Sequence, residues 1–141
     1  MKIGVGASFL KTASFGKVNV SYNICRNRIL VNADFSCLKE RNPRKIFMLN
    51  EQGTRFFRRY CDATGNQLVD EQIGAWDQTE ADWVSITNLQ GIVGFRLKRK
   101  ENSFLRMGRE FQNNSLDWIG LDYELDPRSA VFDYEIEILG A

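Results

Sequence analysis

The sequence of 141 residues contains no histidine. This absence excludes Ser-His-Asp and Cys-His catalysis, zinc sites with imidazole ligands and pH switches built on imidazole. Proline is scarce at 2 residues, and the 11 glycines are too few for a collagen-like chain. No apolar run is long enough for a membrane-spanning helix, and the first residues lack the apolar stretch and cleavage site of a secretory signal. We therefore expect an intracellular protein of the cytoplasm or nucleoid, of cellular or viral origin, without a membrane partner.

Cysteine is also sparse. Cys25, Cys37 and Cys61 lie 12 and 24 positions apart and form no CxxC pair. An odd number of cysteines without a framework indicates reduced thiols, which usually pack as small hydrophobic side chains. We therefore expect no disulfide, no metal and no other cofactor.

Acidic charge is nearly absent from the first part of the chain and concentrated in the last. Residues 1–38 carry five basic and one acidic side chains, residues 39–109 carry thirteen and nine, and residues 110–141 carry one and eight. A net charge of +1 thus conceals a basic body and an acidic final segment. Such asymmetry is typical of nucleic-acid-binding proteins, although the two parts can also neutralise each other within one fold.

Alternation of apolar and polar residues dominates the chain, whereas no convincing helical stripe is present. Alternation predicts strands at 17–24 and 29–35, joined as a hairpin, and at 45–49, 55–61, 82–87, 91–100, 116–125 and 132–138, with loop or short helix at 70–81. We therefore predict one all-β domain over residues 1–141, a compact barrel of seven or eight strands with minor helix. The predicted core comprises Val18, Val20, Tyr22, Phe95, Leu97, Phe132, Tyr134, Ile136 and Ile138.

Catalytic motifs are missing. The sequence has no P-loop, no GxGxxG after a strand and no GxSxG. Asp122, Glu124 and Asp126 alternate and could serve acid–base chemistry or bind Mg²⁺, but alternating carboxylates are also typical of a solvated strand face. We therefore predict a protein without enzymatic activity.

Basic residues form two clusters. Residues 55–60 interleave arginine with aromatic residues, and residues 96–100 hold four cations in five positions. Arginine and lysine neutralise phosphates and give affinity without sequence preference. The predicted DNA-contacting residues are Arg55, Arg58, Arg59, Arg96, Lys98, Lys100 and Arg106. In the alternative interpretation, these basic strands pair across a sheet with Asp133, Glu135 and Glu137.

Several segments resemble the Ku family of DNA-end-binding proteins. Residues 14–20 resemble its SFGLVNVPV signature, and residues 53–69 resemble its DGxRIRYRRVCxxDGxEV segment. Residues 74–77 fall where that family has KGYE, and residues 82–87 where it has YVVLT. The order and approximate spacing hold over residues 14–92. The chain departs from the family at Ser21, where Ku has proline, and at Ile73, where Ku has lysine.

The resemblance implies a non-enzymatic Ku-like β-barrel that binds double-stranded DNA ends as a homodimer and offers them to a separate DNA ligase. It leaves open whether residues 93–115 form a shortened bridge around DNA, a hairpin of the barrel or a loop. The predicted function is therefore sequence-independent binding of duplex DNA ends in end protection or in DNA repair by non-homologous end joining. The alternative is a protein-interaction module similar to SPOC-type domains, in which the basic patch binds an acidic or phosphorylated peptide.

Overall fold

A computed structural model describes residues 16–38, 45–112 and 116–140, which form twelve strands and one 3-10 helical turn. The strands are β1 (Asn19–Cys25), β2 (Arg28–Asp34), β3 (Ile46–Met48), β4 (Glu51–Gly53), β5 (Arg59–Asp62), β6 (Gln67–Val69), β7 (Asp77–Thr79), β8 (Trp83–Thr87), β9 (Gly94–Lys98), β10 (Ser103–Gln112), β11 (Leu116–Leu125) and β12 (Val131–Leu139). The helical turn spans Asp70–Gln72. No helix in these described ranges has the length and apolar character needed to cross a membrane.

The strands form two antiparallel sheets. The large sheet has seven strands in the order β1-β2-β12-β9-β8-β5-β6, and the small sheet has the order β3-β11-β10-β7, with β4 also paired to β11. The predicted all-β class is therefore confirmed. Among the described strands, neither sheet closes on itself, because each has two free ends in its strand order. A Ku-like barrel is not confirmed.

The core lies between the two sheets, where the alternating apolar residues of each meet. The predicted core residues Phe95, Leu97, Phe132 and Tyr134 are buried. Ile136 and Ile138 are partly buried and pack against the same cluster. The small sheet contributes the other half of this core, chiefly Leu105, Met107, Ile119, Leu121, Tyr123 and Leu125.

The predicted core is wrong at β1 and the residue preceding it. Val18, Val20 and Tyr22 are exposed at 41%, 41% and 64% of their surface. Tyr22 lies opposite the buried Val31, so its side chain points to the core side of the large sheet. The small sheet has fewer strands, and it leaves β1 uncovered.

Strand bounds also differ from the prediction. The predicted strand at 55–61 begins only at Arg59, because residues 54–56 form a turn. Residues 70–81 contain the short strand β7 as well as the helical turn. Within 93–115, β9 belongs to the large sheet, whereas β10 pairs with β11 along all ten residues and forms a hairpin of the small sheet. Residues 113–115 lie outside the described residues.

The outer face of the small sheet, turned away from the core, carries a tryptophan lying on two glycines. Gly108 and Gly120 face each other across β10 and β11. A Cβ atom on Gly108 would lie 2.6 Å from Trp76 Cα, and one on Gly120 would lie 2.7 Å from the Trp76 ring. Only glycine admits so close an approach at these two positions. Trp76 is thereby held against the sheet next to Arg106, whose guanidinium lies 5.7 Å from the Trp76 ring centroid.

The cysteines are less buried than expected. Cys25 and Cys37 are exposed, and Cys61 is intermediate. The prediction of buried thiols is wrong for the first two. Cys25 lies on the uncovered β1, and Cys37 lies in the turn after β2.

Candidate nucleic-acid interface

The seven cations predicted to contact DNA lie in three separate places. Arg55 and Arg59 are near the start of β5, whereas Lys98 ends β9. Arg59 is opposite Thr87 and Lys98 is opposite Trp83, so the two lie at opposite ends of β8, about 13 Å apart along the strand. The outer face of the small sheet holds Arg106. The predicted residues do not form one continuous basic stripe.

Near β5, a carboxylate neutralises one arginine of the basic cluster. Arg58 donates two hydrogen bonds to the Asp70 carboxylate, each 2.7 Å long. This contact raises the pKa of Arg58 and lowers the pKa of Asp70. Arg59 donates to the Gln67 side-chain oxygen at 2.6 Å. Arg55 is exposed and has no ion pair with any described residue.

On the outer face of the large sheet, basic and acidic strands lie side by side. Arg96 is directly opposite Glu137, and their charged atoms are 3.5 Å apart. The guanidinium of Arg96 also lies 4.4 Å from the Trp83 ring centroid. Continuing the register from Arg96 and Glu137 brings Lys98 level with Glu135. Arg96 thus follows the alternative interpretation, in which the acidic last strand neutralises a basic strand.

Arg106 also contacts an aromatic ring and a carboxylate. Its guanidinium lies 4.7 Å from the Phe47 ring centroid, and its Nε atom is 3.9 Å from Glu124. The same Glu124 carboxylate lies 2.8 Å from Lys45 Nζ and accepts a hydrogen bond from Gln78 at 3.0 Å. The hydrogen bond from Lys45 is the chief cause of the lowered pKa of Glu124. Arg106 therefore links β10 to side chains of β3 and β11 on the outer face of the small sheet.

A cleft of about 1070 Å³ opens at the end of the molecule where β9 and β11 finish and β8, β10 and β12 begin. Because neighbouring antiparallel strands run in opposite directions, their connecting turns meet at this end. The basic lining consists of Lys45, Lys98, Arg99, Lys100 and Arg128, and the acidic lining of Asp82, Glu101, Glu124 and Asp126. Phe104, which is 46% exposed, adds an aromatic surface. We call this feature the end cleft.

Two of the five cleft cations are not committed to a carboxylate. Lys45 pairs with Glu124, Arg99 with Glu80 and Arg128 with Asp126. The hydrogen bond from Arg128 is the main reason that the pKa of Asp126 falls to about 2. In the described parts of the chain, Lys98 and Lys100 are exposed and have no carboxylate within 4.0 Å.

Hydrogen bonds fix the backbone that carries these two lysines. The Tyr123 hydroxyl donates to the Lys98 carbonyl oxygen at 2.6 Å, and the Ser103 hydroxyl donates to the Lys100 carbonyl oxygen at 2.9 Å. Asn102 takes a positive φ of 57°, which turns the chain into β10. The cleft is therefore built on an anchored turn.

Sequence reasoning missed Lys45, Arg99, Arg128 and Phe104 as cleft residues. Arg99 belongs to the recognised run 96–100, but alternation placed it on the other face of a strand that in fact ends at Lys98. Lys45 and Arg128 come from separate segments, and no feature of the neighbouring sequence indicates that they line a cleft. Only the pairing of β3 with the end of β11 brings Lys45 into the cleft.

The alternating carboxylates of β11 do not form a solvated face. Asp122 is 1% exposed and accepts a hydrogen bond from the Asn50 backbone N–H at 2.9 Å. Burial raises the pKa of Asp122 to about 6. A carboxyl so enclosed cannot touch a substrate in this conformation. Among the described residues, no group of three or more cysteine, aspartate or glutamate side chains is arranged to hold a metal ion.

Compared with models of known protein families, with curated proteins and with solved structures, the chain matches none of them.

Proposed function

We propose that the protein is a non-catalytic DNA-binding module that uses the end cleft to hold the phosphates of a duplex end without sequence preference. The observation that carries this proposal is the pair of unpaired lysines, Lys98 and Lys100, in a cleft that three further cations line. Both lysines belong to the DNA-contacting set predicted from the sequence. Amines fixed on an anchored turn can bind phosphate oxygens with little loss of backbone freedom.

The end cleft favours contact with a few phosphates over wrapping of a long duplex. Four carboxylates share it with five cations, so its excess positive charge is small. Two lysines bound to phosphates predict a slope of about −1.8 in a plot of log affinity against log salt. Phe104 supplies an exposed ring on which a terminal base pair can stack. These features fit an end better than the side of a duplex.

In such a role the protein would protect ends or present them for repair, and the joining chemistry would belong to a separate ligase, as the resemblance to Ku implies. The Ku-like barrel and the end-joining role remain parts of this proposal.

The experiment compares a cleft variant with a charge-matched control. Lys98→Glu with Lys100→Glu should lose binding to linear duplex DNA at about 0.15 M salt, because two phosphate contacts become repulsive. Lys17→Glu with Arg26→Glu makes the same charge change at exposed residues outside the cleft and outside the predicted DNA-contacting set, and should keep most of the affinity. Linear and closed circular DNA of identical sequence are titrated with each protein.

Two results contradict the proposal. One is equal weakening by both double variants, which assigns binding to overall charge. The other is equal affinity of the wild-type protein for circular and linear DNA, which removes the preference for ends. Circular dichroism of each variant confirms that the fold is retained.

A second candidate function is binding of an acidic or phosphorylated peptide. The observation in its favour is that Asp82, Glu101 and Asp126 lie beside the cations of the end cleft. A continuous polyanion would meet these carboxylates, whereas a single phosphate group would engage the two lysines alone. Competition by a singly phosphorylated peptide, with no binding of duplex DNA, would favour this function.

A further inference from the structure

Strand β1 forms one edge of the large sheet and pairs only with β2 among the described strands. All seven of its residues are exposed. The edge therefore presents a row of backbone N–H and C=O groups for which the described residues provide no partner.

This edge lacks the features that usually prevent edge-to-edge pairing. The sequence Asn19–Cys25 contains no charged residue, proline or glycine. The opposite edge of the large sheet, β6, has only three residues, and the outer strands of the small sheet, β3, β4 and β7, have three each. Short strands, charges and prolines are the common means of protecting an edge. In the described parts of the chain, β1 is the one long and unprotected edge.

The core side of β1 also presents an apolar row to solvent. Ile24 is 77% exposed and Tyr22 is 64% exposed, and Val20 and Val18 continue the row. These residues lie opposite core-facing positions of β2, but the small sheet does not extend over them. Contiguous exposed apolar side chains of this kind mark interaction surfaces.

The order of side chains along β1 is self-complementary. If two copies of β1 pair antiparallel about a twofold axis at Tyr22, Val20 faces Ile24 of the other copy. Ser21 then faces Asn23, and Asn19 faces Cys25. Apolar residues meet apolar residues on one face of the sheet, and small polar residues meet on the other. The flanking cations do not oppose each other, since Lys17 faces Asn27 and Arg26 faces Val18.

We propose that β1 is the interface with a second copy of this chain, paired antiparallel across a twofold axis at Tyr22. The two large sheets then join into one sheet of fourteen strands, twice the seven of each copy. The pairing satisfies both backbone edges and buries both apolar rows. Self-complementarity favours a second copy over an unrelated strand, and twofold dimers are the commonest protein assembly. This proposal does not depend on the DNA-binding function.

Disulfide trapping tests the register. In a background of Cys37→Ser and Cys61→Ser, Asn19→Cys should form a covalent dimer with two bonds to Cys25 of the second copy under mild oxidation. Directly opposed residues of an antiparallel pair have the Cα separation that a disulfide needs. Asn23→Cys in the same background is the matched control, because Ser21 faces it and no efficient cross-link should form.

Sedimentation velocity without DNA measures the association itself. The wild-type protein should be a dimer at tens of micromolar, and Val20→Lys with Ile24→Lys should be a folded monomer, because both side chains are already exposed in one copy. A wild-type monomer at that concentration would overturn the proposal. So would equal cross-linking of the Asn19→Cys and Asn23→Cys proteins, which indicates random collision.

Discussion

Replacing Asp122 with asparagine should stabilise the protein at neutral pH. Asp122 lies on β11, fully buried, beneath the outer face of the small sheet. Burial raises its pKa to about 6, although the hydrogen bond from the Asn50 N–H opposes that rise. The negative charge of Glu51 raises the pKa further, and the positive charge of Arg106 lowers it.

The direction in which the free energy of unfolding changes with pH follows from proton binding to Asp122. The ordinary pKa of this carboxyl is 3.8, so the folded state holds the proton more tightly than the unfolded state. The free energy of unfolding therefore falls as the pH rises from about 4 to about 6 and is constant above that range. A pKa of about 6 corresponds to about 3 kcal/mol lost at neutral pH. A neutral side chain of the same shape avoids this loss.

The assay is urea denaturation of wild type and Asp122→Asn from about pH 4 to about pH 8. The variant should be more stable by about 1–3 kcal/mol near pH 7.5, and the difference should shrink toward pH 4. The asparagine side-chain oxygen can still accept the hydrogen bond from Asn50. The lower end of the range allows for imperfect placement of the new NH₂ group.

Glu124→Gln is the control with the opposite sign. Hydrogen bonding to Lys45 lowers the pKa of Glu124, so its charged form stabilises the fold above the ordinary value of 4.5 and the contribution is lost as the pH falls. This variant should be less stable than wild type at neutral pH. The reasoning is refuted if Asp122→Asn is destabilised near pH 7.5 by an amount that does not change with pH.

Two further variants test the packing of the small sheet. Gly108→Ala places a Cβ atom 2.6 Å from Trp76 Cα. It should therefore lower the free energy of unfolding by about 1–3 kcal/mol and shift the tryptophan fluorescence. An unchanged thermal melt would show that Trp76 does not lie on the sheet. Tyr123→Phe removes the hydrogen bond to the Lys98 carbonyl oxygen, so the free energy of unfolding measured by denaturant titration should fall by about 1 kcal/mol. An unchanged free energy of unfolding would mean that this contact does not anchor the turn after β9.

The fold class was predictable because period-two alternation is a local signal. The hairpin of β1 and β2 follows from it, with Arg26 and Asn27 as the two-residue turn. Alternation identifies the side of the sheet to which a residue points. It does not tell whether a second sheet covers that side, and for this reason alternation wrongly predicts Val18, Val20 and Tyr22 in the core.

The candidate site was only partly predictable, for a related reason. Lys98 and Lys100 lie in a run that any count of charges finds. The partner of Arg58, Asp70, becomes visible only when the turn after β6 is in place, whereas the alternative interpretation of the sequence already includes Glu137, the partner of Arg96. Alternation places Asp122 on the outward side of β11, and the sequence does not indicate that Trp76 and its neighbours cover that face.

The position of β12 has a consequence for how the chain acquires its structure during synthesis. β12 follows every other described strand in the sequence, yet it lies in the middle of the large sheet, between β2 and β9. The hairpin of β1 and β2 cannot join β9, β8 and β5 until β12 has left the ribosome. Until then the two halves of the large sheet expose unpaired inner edges, which are prone to aggregation. Contacts so distant in sequence predict slow folding that starts after translation of this region is complete.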